Sequence, residues 1–226
     1  MVLLADMRLV CVAMGISIQA ILLSRRFMVV IALVAPIALV NEPRADGIDH
    51  KIHEDTSGIW NQDIYRNIML AMTIGQVGYA VWEGGDSRLG NTAWRGIDSE
   101  IIGAVSAEGL KHVFRRVRPS DTDNPGLWFQ SGDNHSFPSG EAAEAASLVT
   151  PYILEYGKDY PAVYALTLLP LYVGAARVKA QAHWQTDVIG GWVVGGLAGW
   201  YAHERDTPIV LQLIPHGISI GLKKSF

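Results

Sequence analysis

The sequence predicts an all-α protein, and three observations carry that prediction. Apolar residues recur at helical spacing over residues 61–82 and again over residues 98–117. The stretch "PSGEAAEAASL", residues 138–148, starts with turn-forming residues and continues as an Ala- and Glu-rich run of high helix propensity. The apolar stretch "DVIGGWVVGGLAGWYAH", residues 187–203, carries five glycines, which favours very close packing between helices.

These patterns place five helices of roughly 15–20 residues in chain order. They run from Asn61 to Trp82, Asp98 to Val117, after Gly140 to near Tyr156, Pro161 to Ala176, and His183 to His203. Pro119 ends the second helix, and Pro151 predicts a kink or an early end in the third. A loop rich in turn formers covers residues 120–137. The tail "IVLQLIPHGISIGL", residues 209–222, has two β-prone runs around Pro-His-Gly and predicts a short β-hairpin.

The N-terminal region contains two apolar runs, residues 9–23 and 27–40, separated by "SRR". Neither reaches the ~18–20 residues of a transmembrane helix, and the second has the length of a signal-peptide hydrophobic region. We expect residues 1–45 to be an export signal that is cleaved, or an anchor that is retained. A buried core helix is one alternative, and translation beginning near Met28 is another. The polar stretch "DGIDHKIHEDTSG" that follows is typical of a linker or loop.

Length, net charge and cysteine content indicate the number of domains and exclude several kinds of partner and site. The 226 residues suit one domain, and we place it at residues 46–206, with a tail at residues 207–226. A formal net charge of −4 gives a nucleic-acid partner no electrostatic support. Cys11 is the only cysteine, which excludes an intrachain disulfide and a cysteine-based zinc site.

The stretch "KHVFRRVRP" is the first of three candidate functional clusters. Lys111 and Arg118 are seven residues apart, or two helical turns, so both cations would leave one face of the second predicted helix. Arg116 would point elsewhere. Two converging cations suit an anion with several oxygens, above all phosphate. The alternative is a solvated basic face near a helix C-terminus, where cations are favoured.

The second cluster is "PSGE", at the start of the third predicted helix. Ser139 and Gly140 offer a hydroxyl and backbone N–H groups at the positive end of a helix dipole. Glycine also lets the backbone approach an oxyanion without a Cβ in the way. An ordinary N-cap is the alternative.

The third cluster is "ARVKAQAHWQTD". His183 and Asp187 are four residues apart, so on a helix the carboxylate could accept a hydrogen bond from the imidazole Nδ1. Nε2 would then be free to attack an electrophile. Arg177 lies six residues before His183, and a break in the helix is needed for both to face one pocket. A purely structural His–Asp hydrogen bond is the alternative.

Taken together, Lys-x6-Arg-Pro, Pro-Ser-Gly and Arg-x5-His-x3-Asp resemble the signature of the type 2 phosphatidic acid phosphatase/vanadium haloperoxidase superfamily. The resemblance covers roughly residues 109–196. It implies a helical bundle whose motifs meet at one phosphate or vanadate. It also implies that phosphate is bound by Lys111, Arg118, Arg177, Ser139 and the Gly140 amide. His183 would be the nucleophile, forming a phosphohistidine, and Asp187 would orient it.

Two positions depart from the family pattern. The third motif usually opens with Ser-Arg, and here it reads Ala176-Arg177. The residue after Pro-Ser-Gly is usually a histidine that protonates the leaving oxygen, and here it is Glu141. Glu141 could serve as the acid only if its pKa were raised, whereas the nearby cations would lower it. His135, just before the motif, is the other candidate acid.

The sequence therefore predicts a phosphatase that hydrolyses a phosphomonoester or pyrophosphate, soluble or lipid-linked. By resemblance, no metal or other cofactor is required, because three cations supply the charge stabilisation, and vanadate should bind as a phosphate mimic. Localisation is expected to be periplasmic or membrane-associated through the N-terminus, with the active site outside the cytoplasm. A non-catalytic phosphate- or lipid-binding scaffold is the main alternative, followed by a vanadate-dependent haloperoxidase.

Overall fold

The computed structural model describes residues 47–132 and 135–210. These residues form five α-helices and two short 3₁₀ helices. The α-helices are α1 (Gln62–Glu83), α2 (Arg88–Phe114), α3 (Gly140–Tyr156), α4 (Leu168–Lys179) and α5 (Gln185–His203). The 3₁₀ helices are Gly58–Trp60 and Pro161–Thr167. The all-α prediction is confirmed for this part of the chain. The predicted N-terminal segment lies outside it, as does the predicted hairpin except for its first two residues, Ile209 and Val210, which are helical and not extended.

Helix α2 differs most from its predicted bounds. It begins ten residues earlier than predicted, where the Ser87 side chain caps it by accepting a hydrogen bond from the Gly90 amide at 3.0 Å. Glycines in this stretch lower its helix propensity, so the sequence does not reveal where the helix starts. In the structure they lie where neighbouring elements pack closely. A Cβ on Gly96 would lie 2.2 Å from Oε1 of Gln76 on α1. The helix ends at Phe114 because Arg115 adopts the left-handed conformation, with φ of 41°.

Helix α3 continues through Pro151 to Tyr156, so the early end, one of the two outcomes predicted for this proline, does not occur. Proline has no N–H, so the carbonyl four residues earlier, that of Ser147, loses its helical partner. The Ser99 hydroxyl of α2 donates a hydrogen bond to this carbonyl at 2.8 Å, and Ser99 is fully buried. A side chain from the neighbouring helix thus satisfies the group that the proline leaves unpaired.

Helices α3 and α5 pack face to face through the glycines of α5. A Cβ on Gly191 would lie 2.5 Å from the carbonyl oxygen of Ser139, and one on Gly195 would lie 2.1 Å from that of Ala143. Any larger side chain would force the helices apart. The close packing predicted from the glycine-rich stretch is confirmed.

The last two helices begin later than predicted. Residues 161–167 form a 3₁₀ helix before α4, and α5 begins at Gln185 rather than His183. The chain between Lys179 and Gln185 is therefore a loop, which provides the break that the six-residue spacing of Arg177 and His183 requires. This loop carries His183.

Candidate active site

The helix ends that carry the three clusters meet at one end of the bundle. Ser139, the N-cap of α3, donates its backbone N–H to the Asp187 carbonyl in the first turn of α5 at 2.8 Å. The start of α1 reaches the end of α4, because Arg177 donates to the Tyr65 hydroxyl at 2.9 Å. The last turn of α2 reaches α3, because a Cβ on Gly140 would lie 3.0 Å from Nζ of Lys111.

His183 is a buried histidine with a defined tautomer. Its side chain is 2% exposed, and Nδ1 lies 2.7 Å from the carbonyl oxygen of Ser136. A carbonyl can only accept, so Nδ1 of the neutral ring carries the hydrogen and Nε2 carries the lone pair. The ring is therefore set up for attack through Nε2.

Asp187 does not make the hydrogen bond predicted for it. Its Oδ2 lies 3.8 Å from Nδ1 of His183, beyond hydrogen-bonding distance. The reason is that His183 precedes the first turn of α5, so the helical spacing of four residues does not apply. Instead, Oδ2 accepts from the Trp184 amide at 2.8 Å and from the Ser136 hydroxyl at 2.5 Å. Asp187 thus holds Ser136, whose carbonyl holds the histidine.

The charge state of His183 suits a nucleophile. Burial lowers its pKa, Asp187 opposes this, and the nearby cations Arg177 and Arg118 lower it further, so that the pKa lies below the usual 6.5. Burial raises the pKa of Asp187, but its hydrogen bonding and the Arg116 charge outweigh this, so the pKa lies below the usual value. At neutral pH the site therefore holds a neutral imidazole beside a carboxylate.

Arg177 and Glu141 form the second half of the site. Nε of Arg177 lies 2.9 Å from Oε2 of Glu141, an ion pair without the alignment of a hydrogen bond. Oε1 of Glu141 accepts from Nη2 of Arg66 at 2.8 Å and, more weakly, from the Tyr65 hydroxyl at 3.3 Å. Glu141 therefore lies between two arginines and a tyrosine.

This setting determines the charge of Glu141. Burial raises the pKa of its carboxyl, but Arg177, the Arg66 hydrogen bond and the neighbouring His183 together outweigh burial, so the pKa lies below the usual value. Glu141 is ionised at neutral pH. In this state the carboxylate can pair with Arg177, but it has no proton to donate as a general acid.

The relation predicted between Lys111 and Arg118 is wrong in its geometry. Lys111 lies in the last turn of α2, but the helix ends at Phe114, so Arg118 does not share a helical face with it. Arg118 lies in the extended chain beyond the helix, where Nη2 lies 3.5 Å from the His135 carbonyl. Both residues still lie at the same end of the bundle. Nζ of Lys111 lies beside Gly140, and the charge of Arg118 acts on the pKa of His183.

Arg116 is one of the site residues that sequence reasoning missed. Its side chain is fully buried and donates to Oδ1 of Asp187 and Oδ2 of Asp49, both at 2.6 Å. It also donates to the Pro125 carbonyl and stacks over the Trp128 ring at 4.2 Å. Helical periodicity could not reveal this role, because the chain has left the helix before Arg116.

The environment of the other candidate acid is also defined. The His135 ring packs edge-on against the His112 ring, with centroids 4.6 Å apart. A cavity of about 410 Å³ adjoins the site at Arg177. Its lining includes Trp60, Asp63, Tyr65 and Arg177.

The low pKa of His183 predicts the pH dependence of catalysis. Activity needs the neutral ring, so it should rise with pH through a limb centred below pH 6.5 and then level off. Glu141 and Asp187 are ionised over the same range, because their pKa values are also lowered. The check is kcat/KM against pH, with the separately measured titration of the substrate phosphate divided out. A limb centred at or above pH 6.5 would contradict this assignment.

Comparison with known proteins identifies the family. Residues 97–207 match the model of the PAP2 superfamily, and this segment contains all three clusters. This segment of the chain belongs to the PAP2 superfamily. The family resemblance drawn from the three motifs is thereby confirmed. Tyr65, Arg66 and Asp49 come from outside the matched segment of this PAP2 protein.

Two curated relatives share sequence with the PAP2 segment. A lipid A 1-phosphatase from Porphyromonas gingivalis is 34% identical over 107 residues, covering 45% of this chain and 22% of that protein. An undecaprenyl-diphosphatase from Sulfolobus acidocaldarius is 29% identical over 99 residues, covering 43% of this chain and 47% of that protein. The chain thus spans less than half the length of each of these relatives.

Two solved structures are similar to the chain at 19% identity. One is LpxE from Aquifex aeolicus, with a TM-score of 0.43, covering 77% of this chain and 94% of that one. The other is a transmembrane PAP2-type phosphatidylglycerolphosphate phosphatase from Bacillus subtilis, with a TM-score of 0.45, covering 88% and 92%.

Proposed function

We propose that this protein is a phosphatase that transfers a phosphoryl group from its substrate to His183 and then to water. The observation that carries the proposal is the state of His183: buried, neutral and with its Nδ1 hydrogen bonded to Ser136, so that Nε2 holds the lone pair. The charges of Arg177 and Arg118 both act on this ring, and the same charges would attract a phosphoryl group. The curated relatives, named as phosphatases of lipid A and of undecaprenyl diphosphate, support the same reaction class.

In the first step, Nε2 of His183 forms a bond to phosphorus while the bond from phosphorus to the leaving oxygen breaks. The charges of Arg177 and Arg118 both act on His183, where they lower its pKa, and the same charges would stabilise the transferring phosphoryl oxygens. Lys111 adds a third cation beside the Gly140 backbone. In the second step, water attacks the phosphohistidine and releases inorganic phosphate, which restores the neutral ring. Three cations can provide the charge stabilisation without a metal ion, and vanadate should compete at the same place.

Because Glu141 is ionised, it cannot protonate the leaving oxygen, and this limits which substrates can react. Without a proton donor at this position, the leaving oxygen departs most easily when its own pKa is low. The leaving group of a diphosphate is a phosphate, with a pKa of about 6, whereas an alkyl monoester releases an alkoxide with a pKa near the ~15.7 of water. We therefore favour a lipid diphosphate, or a monoester with an acidic leaving alcohol, over a simple alkyl phosphate.

A lipid-linked substrate fits the surface of the bundle. The exposed residues of α1 between Ile68 and Trp82 are all uncharged, and several are large, including Leu70 and Ile74. Among residues 47–132 and 135–210, one helical stretch, Pro161–Lys179, is long and apolar enough to cross a membrane. We propose that these faces contact lipid. The predicted N-terminal anchor would then place the site outside the cytoplasm, and hydrolysis of a membrane-impermeant substrate by intact cells measures this.

The direct test of the function is a substrate panel given to the purified protein in detergent. It contains undecaprenyl diphosphate, phosphatidic acid and p-nitrophenyl phosphate, with released phosphate as the readout. We expect the diphosphate and the aryl phosphate to be hydrolysed faster than phosphatidic acid. Binding of vanadate without hydrolysis of any substrate would instead support the non-catalytic scaffold.

The role of Glu141 is tested by Glu141→Gln. If the carboxylate anchors Arg177, its loss should slow the aryl phosphate and phosphatidic acid by similar factors, about 10- to 100-fold. The matched control is Glu144→Gln, one turn along α3. A slowing confined to phosphatidic acid, where the leaving oxygen needs a proton, would show that Glu141 is the acid, since general acid catalysis contributes ~10²–10⁴-fold.

A further inference from the structure

Residues 49–55, within the stretch that the sequence predicted to be a linker or loop, run across the loop that carries His183. The Asp55 amide donates to the Lys179 carbonyl at 3.0 Å, where α4 ends. The Gln181 side chain donates to the Ile52 carbonyl at 3.0 Å. These two contacts hold the first half of the loop between α4 and α5. We call residues 49–55 the clamp segment.

The other end of the clamp segment holds the start of α5. The His50 amide donates to the Gln185 side chain at 3.0 Å, and the same side chain donates back to the His50 carbonyl at 2.8 Å. Oδ1 of Asp49 accepts from the Thr186 amide at 2.8 Å. The N-cap residue, Trp184, has no side-chain oxygen with which to cap the helix, so Asp49 supplies that acceptor from a distant part of the chain.

Asp49 also belongs to the hydrogen-bond network that supports the nucleophile, His183. Its side chain is 1% exposed, and Oδ2 accepts from Nη2 of Arg116 at 2.6 Å. The same guanidinium donates through Nη1 to Oδ1 of Asp187. Asp187 holds the Ser136 hydroxyl, and the Ser136 carbonyl holds Nδ1 of His183. A continuous chain of buried hydrogen bonds thus links the clamp segment to the reacting ring.

A strained residue in the loop between α4 and α5 explains why this loop needs contacts from another segment. Gln181 has a φ of 50°, in the left-handed region that a residue with a side chain rarely adopts. This conformation is strained and persists only where the surroundings hold it. The side chain of this residue is the one bonded to the clamp segment.

We propose that the clamp segment positions the catalytic loop, with Asp49 as its principal positioning residue, so that His183 is held in line with the phosphoryl group. The proposal rests on the proposed phosphatase function for its catalytic consequence, but its structural part stands on the contacts alone. The clamp segment lies upstream of the matched PAP2 segment, so the matched segment would be incomplete without it.

The test is Asp49→Ala in the full chain, with Glu54→Gln as the control. Glu54 is an exposed acidic residue of the same segment, so the control removes one charge without removing the contacts to the loop. We expect kcat to fall about 10- to 100-fold, because small displacements of a reacting group have effects of that size. KM should stay within about twofold. Backbone amides of residues 180–186 should exchange hydrogen faster, while those in the middle of α3 should not.

Asp49→Asn guards against a variant that does not fold, because it preserves the side-chain volume and an oxygen that can accept from Thr186. Unchanged kcat in both Asp49 variants would overturn the proposal, as would exchange that rises equally throughout the bundle. If the unmodified protein releases no phosphate, the proposed function fails. The hydrogen-exchange rates of the backbone amides of residues 180–186 then test the role of the clamp segment by themselves.

Discussion

His183→Ala should reduce kcat by about 10³-fold or more on every substrate that the unmodified protein hydrolyses. The reason is that the variant removes the atom that forms the bond to phosphorus, while water must then attack directly. Lys111, Arg118 and Arg177 remain, so phosphate and vanadate should still bind. The measurement is single-substrate kinetics together with vanadate binding by calorimetry.

The matched control is His203→Ala. His203 lies in the last turn of α5, at the other end of the bundle, where its Nε2 contacts Glu155 at 3.1 Å. This variant should keep its activity within a few-fold. Phosphate release by His183→Ala at a rate close to that of the control would rule out His183 as the nucleophile.

Arg116→Ala should destabilise the fold by about 3–5 kcal/mol. The substitution removes the buried cation that pairs with two buried carboxylates, Asp49 and Asp187, so each carboxylate loses an ion pair of 2.6 Å. It also removes a buried cation that stacks on Trp128. Thermal unfolding in mild detergent, followed by circular dichroism, measures the loss.

The neighbouring Arg115→Ala is the control for this variant. Arg115 is exposed, and its left-handed backbone, with φ of 41°, is disfavoured for arginine and alanine alike. Its replacement should change stability by less than about 1 kcal/mol, as most exposed substitutions do. Similar stability of the two variants would show that the buried charge network contributes little.

The sequence was a good guide to the helices and a poorer guide to their ends. Helical periodicity placed α1 and α3 within a residue or two, because each has a clear polar cap before an apolar face. It missed the first ten residues of α2, where Gly90 and Gly96 lower helix propensity but allow close packing. It also allowed for an early end of α3 at Pro151, since nothing local indicates that Ser99 will satisfy the freed carbonyl.

The site was predicted in its parts but not in its connections. The charges of Arg177 and Arg118 act on the pKa of His183, and His183 acts on that of Glu141, so parts of the three motifs lie near one another. The support of His183 by Ser136, rather than directly by Asp187, depends on where α5 begins. Spacing within a motif cannot reveal that.

The buried network was invisible in the sequence for a different reason. Arg116 and Asp49 are 67 residues apart, and each occurs in a stretch that is rich in charged residues. Nothing in such a stretch distinguishes the one buried charge from its solvated neighbours. Only the tertiary fold selects it.

The most direct test of the account is to look for phosphate on His183. The protein is mixed with a fast substrate, quenched within milliseconds at alkaline pH, where phosphohistidine survives, and digested for mass spectrometry. We expect a phosphate-sized mass increase on the peptide containing His183, which should disappear in the His183→Ala variant. A phosphorylated residue elsewhere, or rapid turnover with no phosphorylated intermediate in the unmodified protein, would contradict the proposed mechanism.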